Sequence, residues 1–201
     1  MKKTLASLLL FSWSLTLFAQ TDKGSFLIGG NGSISLNKTD YNPTESKTAS
    51  FSISPVAGYF FINNFCTGLG LPLSSSWSKV YDSNGDEDYK ARQASYSVSP
   101  FVRYYFPVRS FFVVAEGAFS WVQTKSKYPQ FDFNTGQIIG DINSTSNDTS
   151  YRLAAGPAFF FNRHTSIEIL LNYENLNGQY TDNSDLFISI GFQIFLPSDK
   201  E

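Results

Sequence analysis

The chain has 201 residues, a formal net charge of −2, one cysteine and one histidine. The near-neutral balance points away from nucleic acid, one cysteine excludes an intramolecular disulfide, and the shortage of His and Cys excludes a zinc-type metal centre. Aromatic residues reach 17% and charged residues only 16%, where a soluble domain carries about 25% charged.

In chain order, Lys2 and Lys3 precede an apolar run from Leu5 to Phe18, and Ala19 offers a small residue before Gln20. This pattern predicts a signal peptide over 1–19, because the run is too short to span a bilayer and a basic stretch leads it. Residues 20–201 then form one exported domain. Cys66 lies far from the cleavage point, so no lipoprotein anchor is formed there.

Behind the leader, alternation of apolar and small or polar residues predicts strands near 24–36, 48–61, 65–78, 93–106, 111–124, 149–161, 165–177 and 185–196. Each is long enough to cross hydrocarbon as a tilted strand, which takes about 9–11 residues. Short links lie at Ile62-Asn63-Asn64, Pro107-Val108-Arg109-Ser110 and Asn162-Arg163-His164; the links at 37–47, 79–92, 125–148 and 178–184 are long and polar. Short and long links sorted to opposite ends point to an all-β, eight-stranded antiparallel up-and-down transmembrane β-barrel with the four long loops outside the cell. A secreted sandwich has no reason to sort its links in this way.

The even strands share a loose repeat: Ser54-Pro-Val-Ala-Gly-Tyr-Phe-Phe61, Ser99-Pro-Phe-Val-Arg-Tyr-Tyr-Phe106 and Gly156-Pro-Ala-Phe-Phe-Phe161. Its aromatic ends predict an interfacial belt made by Tyr59, Phe60, Phe61, Tyr104, Tyr105, Phe106, Phe159, Phe160 and Phe161, continued by Phe65, Phe111 and Phe112. Trp77, Trp121 and Tyr151 mark the other rim. Pro55, Pro100 and Pro157 lack the N–H that a ladder uses, so a bulge or an irregular hydrogen bond is expected at each.

The last strand decides which face meets lipid. Leu186, Ile188, Ile190, Phe192, Ile194 and Leu196 share one side; Phe187, Ser189, Gly191, Gln193 and Phe195 share the other. Across the strands the second face carries Asn31, Ser33, Ser54, Gly58, Ser99 and Ala118 rather than the Lys and Glu of a wetted surface. Small neutral residues suit a narrow interior. Four charges share that face, and the turns bring Arg103 near Glu116 and Arg152 near Glu174, predicting lumen ion pairs that fix register and plug the barrel.

The leader, the repeat before the short turns and the closing Ser189-Ile-Gly-Phe-Gln-Ile-Phe-Leu196 together resemble the small outer-membrane β-barrel domain family of the OmpA/OmpX type, in the form common in Bacteroidota. That resemblance implies residence in the bacterial outer membrane and insertion by the barrel assembly machinery, with Gly191, Phe192, Ile194 and Leu196 matching the terminal insertion signal. Five residues follow Leu196, where many members stop at the final aromatic.

Catalysis has little to work with. His164 stands in a short turn beside Arg163, on the periplasmic side, where no rim nucleophile reaches it. Cys66 reads as a small lumen filler. The acidic run Asp82-Ser-Asn-Gly-Asp-Glu-Asp88 lacks the full spacing of a Ca²⁺ loop. The expectation is a monomeric, cofactor-free barrel contacting outer-membrane lipid and lipopolysaccharide, with a structural or surface-interaction role. A narrow porin is the first alternative and a lipid-modifying enzyme the second.

Overall fold

The computed structural model describes residues 21–41, 44–81, 87–132, 138–178 and 182–197. The leader at 1–19, most of the acidic run and the centres of the long links lie outside them. Among the described residues, nine strands form one antiparallel sheet: β1 (Phe26–Tyr41), β2 (Thr44–Ile62), β3 (Phe65–Gly70), β4 (Leu73–Tyr81), β5 (Glu87–Val108), β6 (Phe111–Phe131), β7 (Ile138–Asn162), β8 (Thr165–Asn177) and β9 (Asp182–Leu196). β3 and β4 lie end to end between β2 and β5, so nine strands make eight staves. The sheet closes on itself: β1 pairs with β2 on one side and with β9 on the other, from Phe26–Leu196 to Gly32–Ile190. The expected all-β, eight-staved antiparallel barrel is the fold observed.

The alternation in β9 sorts as its sequence dictates. Leu186, Ile188 and Ile190 are 69%, 62% and 61% exposed, while Gln193 and Phe195 are 0% exposed. Other staves do the same, with Ile53, Leu73, Val102, Leu153 and Leu171 on the outer wall and Ser54, Ser99, Glu116 and Asn172 inside. An outer wall this apolar is stable only against hydrocarbon.

Three two-residue turns, at 63–64, 109–110 and 163–164, close one end. Asn64 adopts φ 66°, a left-handed conformation that asparagine tolerates better than a branched residue does. Its backbone N–H donates to the Thr21 carbonyl at 2.7 Å and its carbonyl accepts from Tyr105 N–H at 2.9 Å. Residues 21–25 are thereby tied across that end, with Thr21 and Ser25 buried.

The links at 37–47, 79–92 and 125–148 are not the irregular loops their polarity suggests. β1 and β2 stay paired out to Tyr41–Thr44, and β6 and β7 out to Phe131–Ile138. The links at 37–47 and 79–92 rise together as one four-stranded extension, since β2 and β4 stay paired out to Glu45–Tyr81, whereas the one at 125–148 becomes a two-stranded ribbon past Lys127. Once both faces are wet, apolar alternation fades while the hydrogen-bond ladder continues, so the pattern ends before the strand does.

The prolines produce interruptions, not bulges. Pairing between β5 and β6 skips Ser99–Pro100 but keeps the same register on both sides, from Val98–Trp121 to Phe101–Ala118. β7 and β8 skip Gly156–Pro157 identically, and β2 faces the break between β3 and β4 at Ser54–Pro55. Each of these three prolines stays in register with the preceding stave, as Gly30–Pro55, Leu69–Pro100 and Val113–Pro157. The missing N–H therefore points at the following stave each time, and the loss is confined to one local step.

Ile190→Lys places a charge mid-strand on the lipid wall and is expected to cost roughly 2–4 kcal/mol. Asn37→Lys on the wet ribbon is expected to stay within about 0.5 kcal/mol. Urea unfolding in phospholipid vesicles, followed by gel mobility, compares the two.

Candidate functional site: a neutral charge network in the lumen

The lumen face of β5 carries Phe101, Arg103 and Tyr105 in alternation, and that of β6 carries Val114, Glu116 and Ala118. Register sets Arg103 directly opposite Glu116. Arg103 Nε donates to Glu116 Oε2 at 2.7 Å, and Nη2 contacts the same oxygen, so the expected pair forms. The second expected pair does not. Arg152 and Glu174 are register partners, yet Arg152 Nη2 donates to Glu116 Oε1 at 2.7 Å, while Glu174 accepts from Ser150 Oγ at 2.8 Å.

The missing member is Glu168, fully buried on β8. Its Oε2 accepts from Arg103 Nη1 at 3.0 Å and from Gln193 Nε2 at 3.3 Å, and its Oε1 accepts from Tyr105 O–H at 2.8 Å. Gln193 also donates to Asn31 Oδ1 at 3.2 Å. The network thus joins six strands, β5 to β9 and β1. Two guanidinium groups balance two carboxylates, as a poorly hydrated interior demands. The signal for Glu168 was present in the sequence: it has the parity of Glu174 between Ile167 and Ile169.

Room for this cluster depends on glycine. Gly58 and Gly68 are register partners, and a Cβ on Gly58 would lie 3.2 Å from Phe101 Cζ. The Phe101 ring uses that space and sits 5.4 Å from the Arg103 guanidinium carbon. Cys66 is buried on the same face, as a filler would be. Gly191 faces inward opposite Asn31, whereas Phe192, Ile194 and Leu196 are exposed on the outer wall.

Below the network, toward the short turns, the aromatic repeat divides. Tyr59, Phe61, Phe106, Phe159 and Phe161 are exposed on the outer wall and Tyr104 is half-buried there. Phe60 and Tyr105 are fully buried, and Phe160 and Phe112 pack against the core. These four were expected in the belt and lie instead inside the barrel, because adjacent residues of a strand leave opposite faces. With Phe195 they form a five-ring stopper: Phe160 and Phe195 centroids are 5.0 Å apart, Tyr105 and Phe195 5.7 Å, and Phe112 and Phe160 5.0 Å. Trp77, Trp121 and Tyr151 are exposed toward the opposite rim.

His164 is exposed in its turn, its Nδ1 3.2 Å from the Phe195 carbonyl oxygen and its N–H donating to Asn162 Oδ1 at 2.7 Å. A cavity of about 790 Å³ nearer the long ribbons is lined by Leu71, Leu73, Tyr96, Trp121 and Asp148 among others, without histidine or cysteine. Among the described residues, no three His, Cys, Asp or Glu side chains gather as metal ligands.

A family model described as an outer membrane protein beta-barrel domain matches residues 4–193. Among solved structures, the chain is similar to the outer membrane protein OprG from Pseudomonas aeruginosa, at 13% identity and TM-score 0.51, covering 89% of this chain and 99% of that one. It also matches Neisserial surface protein A at 16% identity and TM-score 0.46, covering 86% and 97% of the two chains. Ail, the attachment invasion locus protein of Yersinia pestis, matches at 15% identity and TM-score 0.44, covering 87% and 99%. No curated protein matches the chain.

Arg103→Met strands Glu168 and strips Glu116 of one partner, with an expected cost of about 3–5 kcal/mol. The double variant R103M/E168Q, which keeps the Arg152–Glu116 pair and the neutral balance, is expected to recover much of that loss. Urea titration of the mobility-shifted form in detergent measures both.

Proposed function

Because the chain belongs to the outer membrane protein β-barrel family and resides in the outer membrane of a Gram-negative bacterium, we propose that it is a non-conducting, non-catalytic barrel. Its role is to brace the membrane and to present strand ribbons at the cell surface. The observation that carries this reading is the filled lumen. A five-ring stopper and a charge-neutral network occupy the interior in series, and an eight-stranded barrel has an interior only wide enough for its side chains to fill. A narrow pore would need an open file of water past Arg103 and Glu168, both fully buried.

The ribbons supply the interactive part. β6 and β7 run about ten residues past the outer aromatic rim at Trp121, and their side chains there are mostly polar and exposed. Exposed ribbons of this kind suit contact with outer-leaflet lipopolysaccharide and with molecules outside the cell. At the other end of the chain, Gly191 with outward Phe192, Ile194 and Leu196 is the surface we assign to the assembly machinery during insertion, and the finished barrel acts as a monomer.

In planar bilayers the protein is expected to show no steady open conductance, and liposomes carrying it are expected not to swell in small sugars. A steady ohmic current that follows protein concentration would contradict the plugged reading and favour the pore.

A further inference from the structure

The closing seam of the barrel is laddered over only part of its height. Among the described residues, β1 pairs with β9 from Phe26–Leu196 to Gly32–Ile190 and no further, although β1 runs on to Tyr41 and β9 begins at Asp182. Above Gly32–Ile190 the two strands part. Exposure marks the separation: Ile34 and Leu36 are 75% and 78% exposed, whereas Ile28 and Ile194, paired lower on the same outer face, are 49% and 37%. Each lip is tied to its own neighbour. Ser33 Oγ lies 2.8 Å from Ser52 Oγ on β2, and Asn172 Nδ2 on β8 donates to Ser189 Oγ at 2.9 Å. At the fork the Asn31 side chain fills the space that a Cβ on Gly191 would need, and its Oδ1 accepts from Gln193 Nε2 at 3.2 Å.

No mismatch of side chains keeps the strands apart. Carried upward, the existing register sets Ser33 against Ser189 on the inner face, and Ile34 against Ile188 and Leu36 against Leu186 on the outer face. What the gap costs depends on its depth. A tilted strand crosses hydrocarbon in about 9–11 residues. Phe26 stands in the lower aromatic belt, its ring 5.1 Å from that of Tyr59, so residues 34–36 reach the outer end of the span. The seam therefore opens inside the outer leaflet and ends where acyl chains join their headgroups. Alternate residues on each facing edge aim an N–H and a C=O into it, and hydrocarbon satisfies neither.

An occupant with both donors and acceptors at that depth completes the site. The ester linkages of a glycerophospholipid accept hydrogen bonds but donate none, whereas an amide linkage and a chain hydroxyl do both. We propose that the open seam between β1 and β9 is a binding site for an outer-leaflet glycolipid with amide-linked, hydroxylated acyl chains. One chain lies against Ile34, Leu36, Leu186 and Ile188, and its amide and hydroxyl groups bond the facing backbone edges where the ladder stops. The site rests on the membrane-embedded surface role argued above and names the place through which that role acts.

The test staples the seam shut on a Cys66→Ala background. Oxidation of I34C/I188C joins the open stretch, and oxidation of I28C/I194C joins a stretch of the same face and ladder phase that is already paired. Native mass spectrometry of the purified barrel in detergent counts retained lipid A against retained phosphatidylglycerol. The unstapled protein and oxidised I28C/I194C are expected to hold lipid A about tenfold better, the worth of about one or two hydrogen bonds. Oxidised I34C/I188C is expected to lose that preference and to regain it on reduction. Added lipid A should also slow formation of the I34C/I188C disulfide severalfold and leave that of I28C/I194C unchanged. If the double variant fails to fold, Ile34→Asn should weaken lipid A retention severalfold where Ile28→Asn does not. Equal retention of the two lipids, retention untouched by the staple, or an equal loss with I28C/I194C would overturn the assignment while a heat-modifiable barrel left the membrane reading intact. A chain that stayed soluble without detergent would overturn both together.

Discussion

Hydrocarbon offers no hydrogen-bond partner to a peptide group, and the rest of this structure follows from that constraint. A sheet in lipid must close, and β1 does so by pairing with β9 as well as with β2. Eight staves is a small circumference, so closure fixes the interior as narrow, and narrowness in turn selects Ser, Gly and Ala along most of the inner wall. The three prolines show how strictly the constraint is kept. Each sits where only one ladder step is lost and where register survives the loss. At one of these gaps Ser120 Oγ donates to Ser99 Oγ at 2.9 Å, so side chains span what the backbone does not.

Narrowness also explains the inner chemistry. Charges here are retained despite a desolvation cost that an apolar filling would avoid. What they add is geometric: Arg103 forks between Glu116 on the neighbouring strand and Glu168 on β8, fixing two distant staves relative to each other. A one-residue slip of either strand would send one of these charges into lipid, so the network selects a single register. The aromatic stopper beneath it is bulkier and cheaper to bury, and it occupies the end that the short turns and residues 21–25 already tie down.

Much of this was legible in the chain. Alternation gave the staves, their inward and outward faces and the Arg103–Glu116 pair, because all of these depend on sequence neighbours and on short turns. Glu168 escaped because strand register names neighbours along the wall, whereas in a thin cylinder side chains also meet across it; Arg152 bonds to a diagonal neighbour on the adjoining β6, Glu116, rather than to its direct register partner Glu174. The aromatic repeat misled for a different reason. Tyr59-Phe60-Phe61 reads as one cluster by composition, but the pleat sends Phe60 inward and its neighbours out. The extensions at 37–47, 79–92 and 125–148 were hidden because water on both faces removes the apolar signal without removing the ladder.

The central claim is the phase of the wall: even-numbered residues of β9 toward acyl chains, odd-numbered ones toward a packed interior. Spin labels placed singly from 186 to 194 on a Cys66→Ala background, in lipid bilayers, read that phase through collision with oxygen and with a water-soluble nickel chelate. The account predicts that labels at 188, 190, 192 and 194 collide often with oxygen and seldom with nickel, and that labels at 189, 191 and 193 collide seldom with both. Frequent nickel collisions at 189 and 191 would reveal a water-filled bore, and an inverted oxygen pattern would reverse the wall altogether.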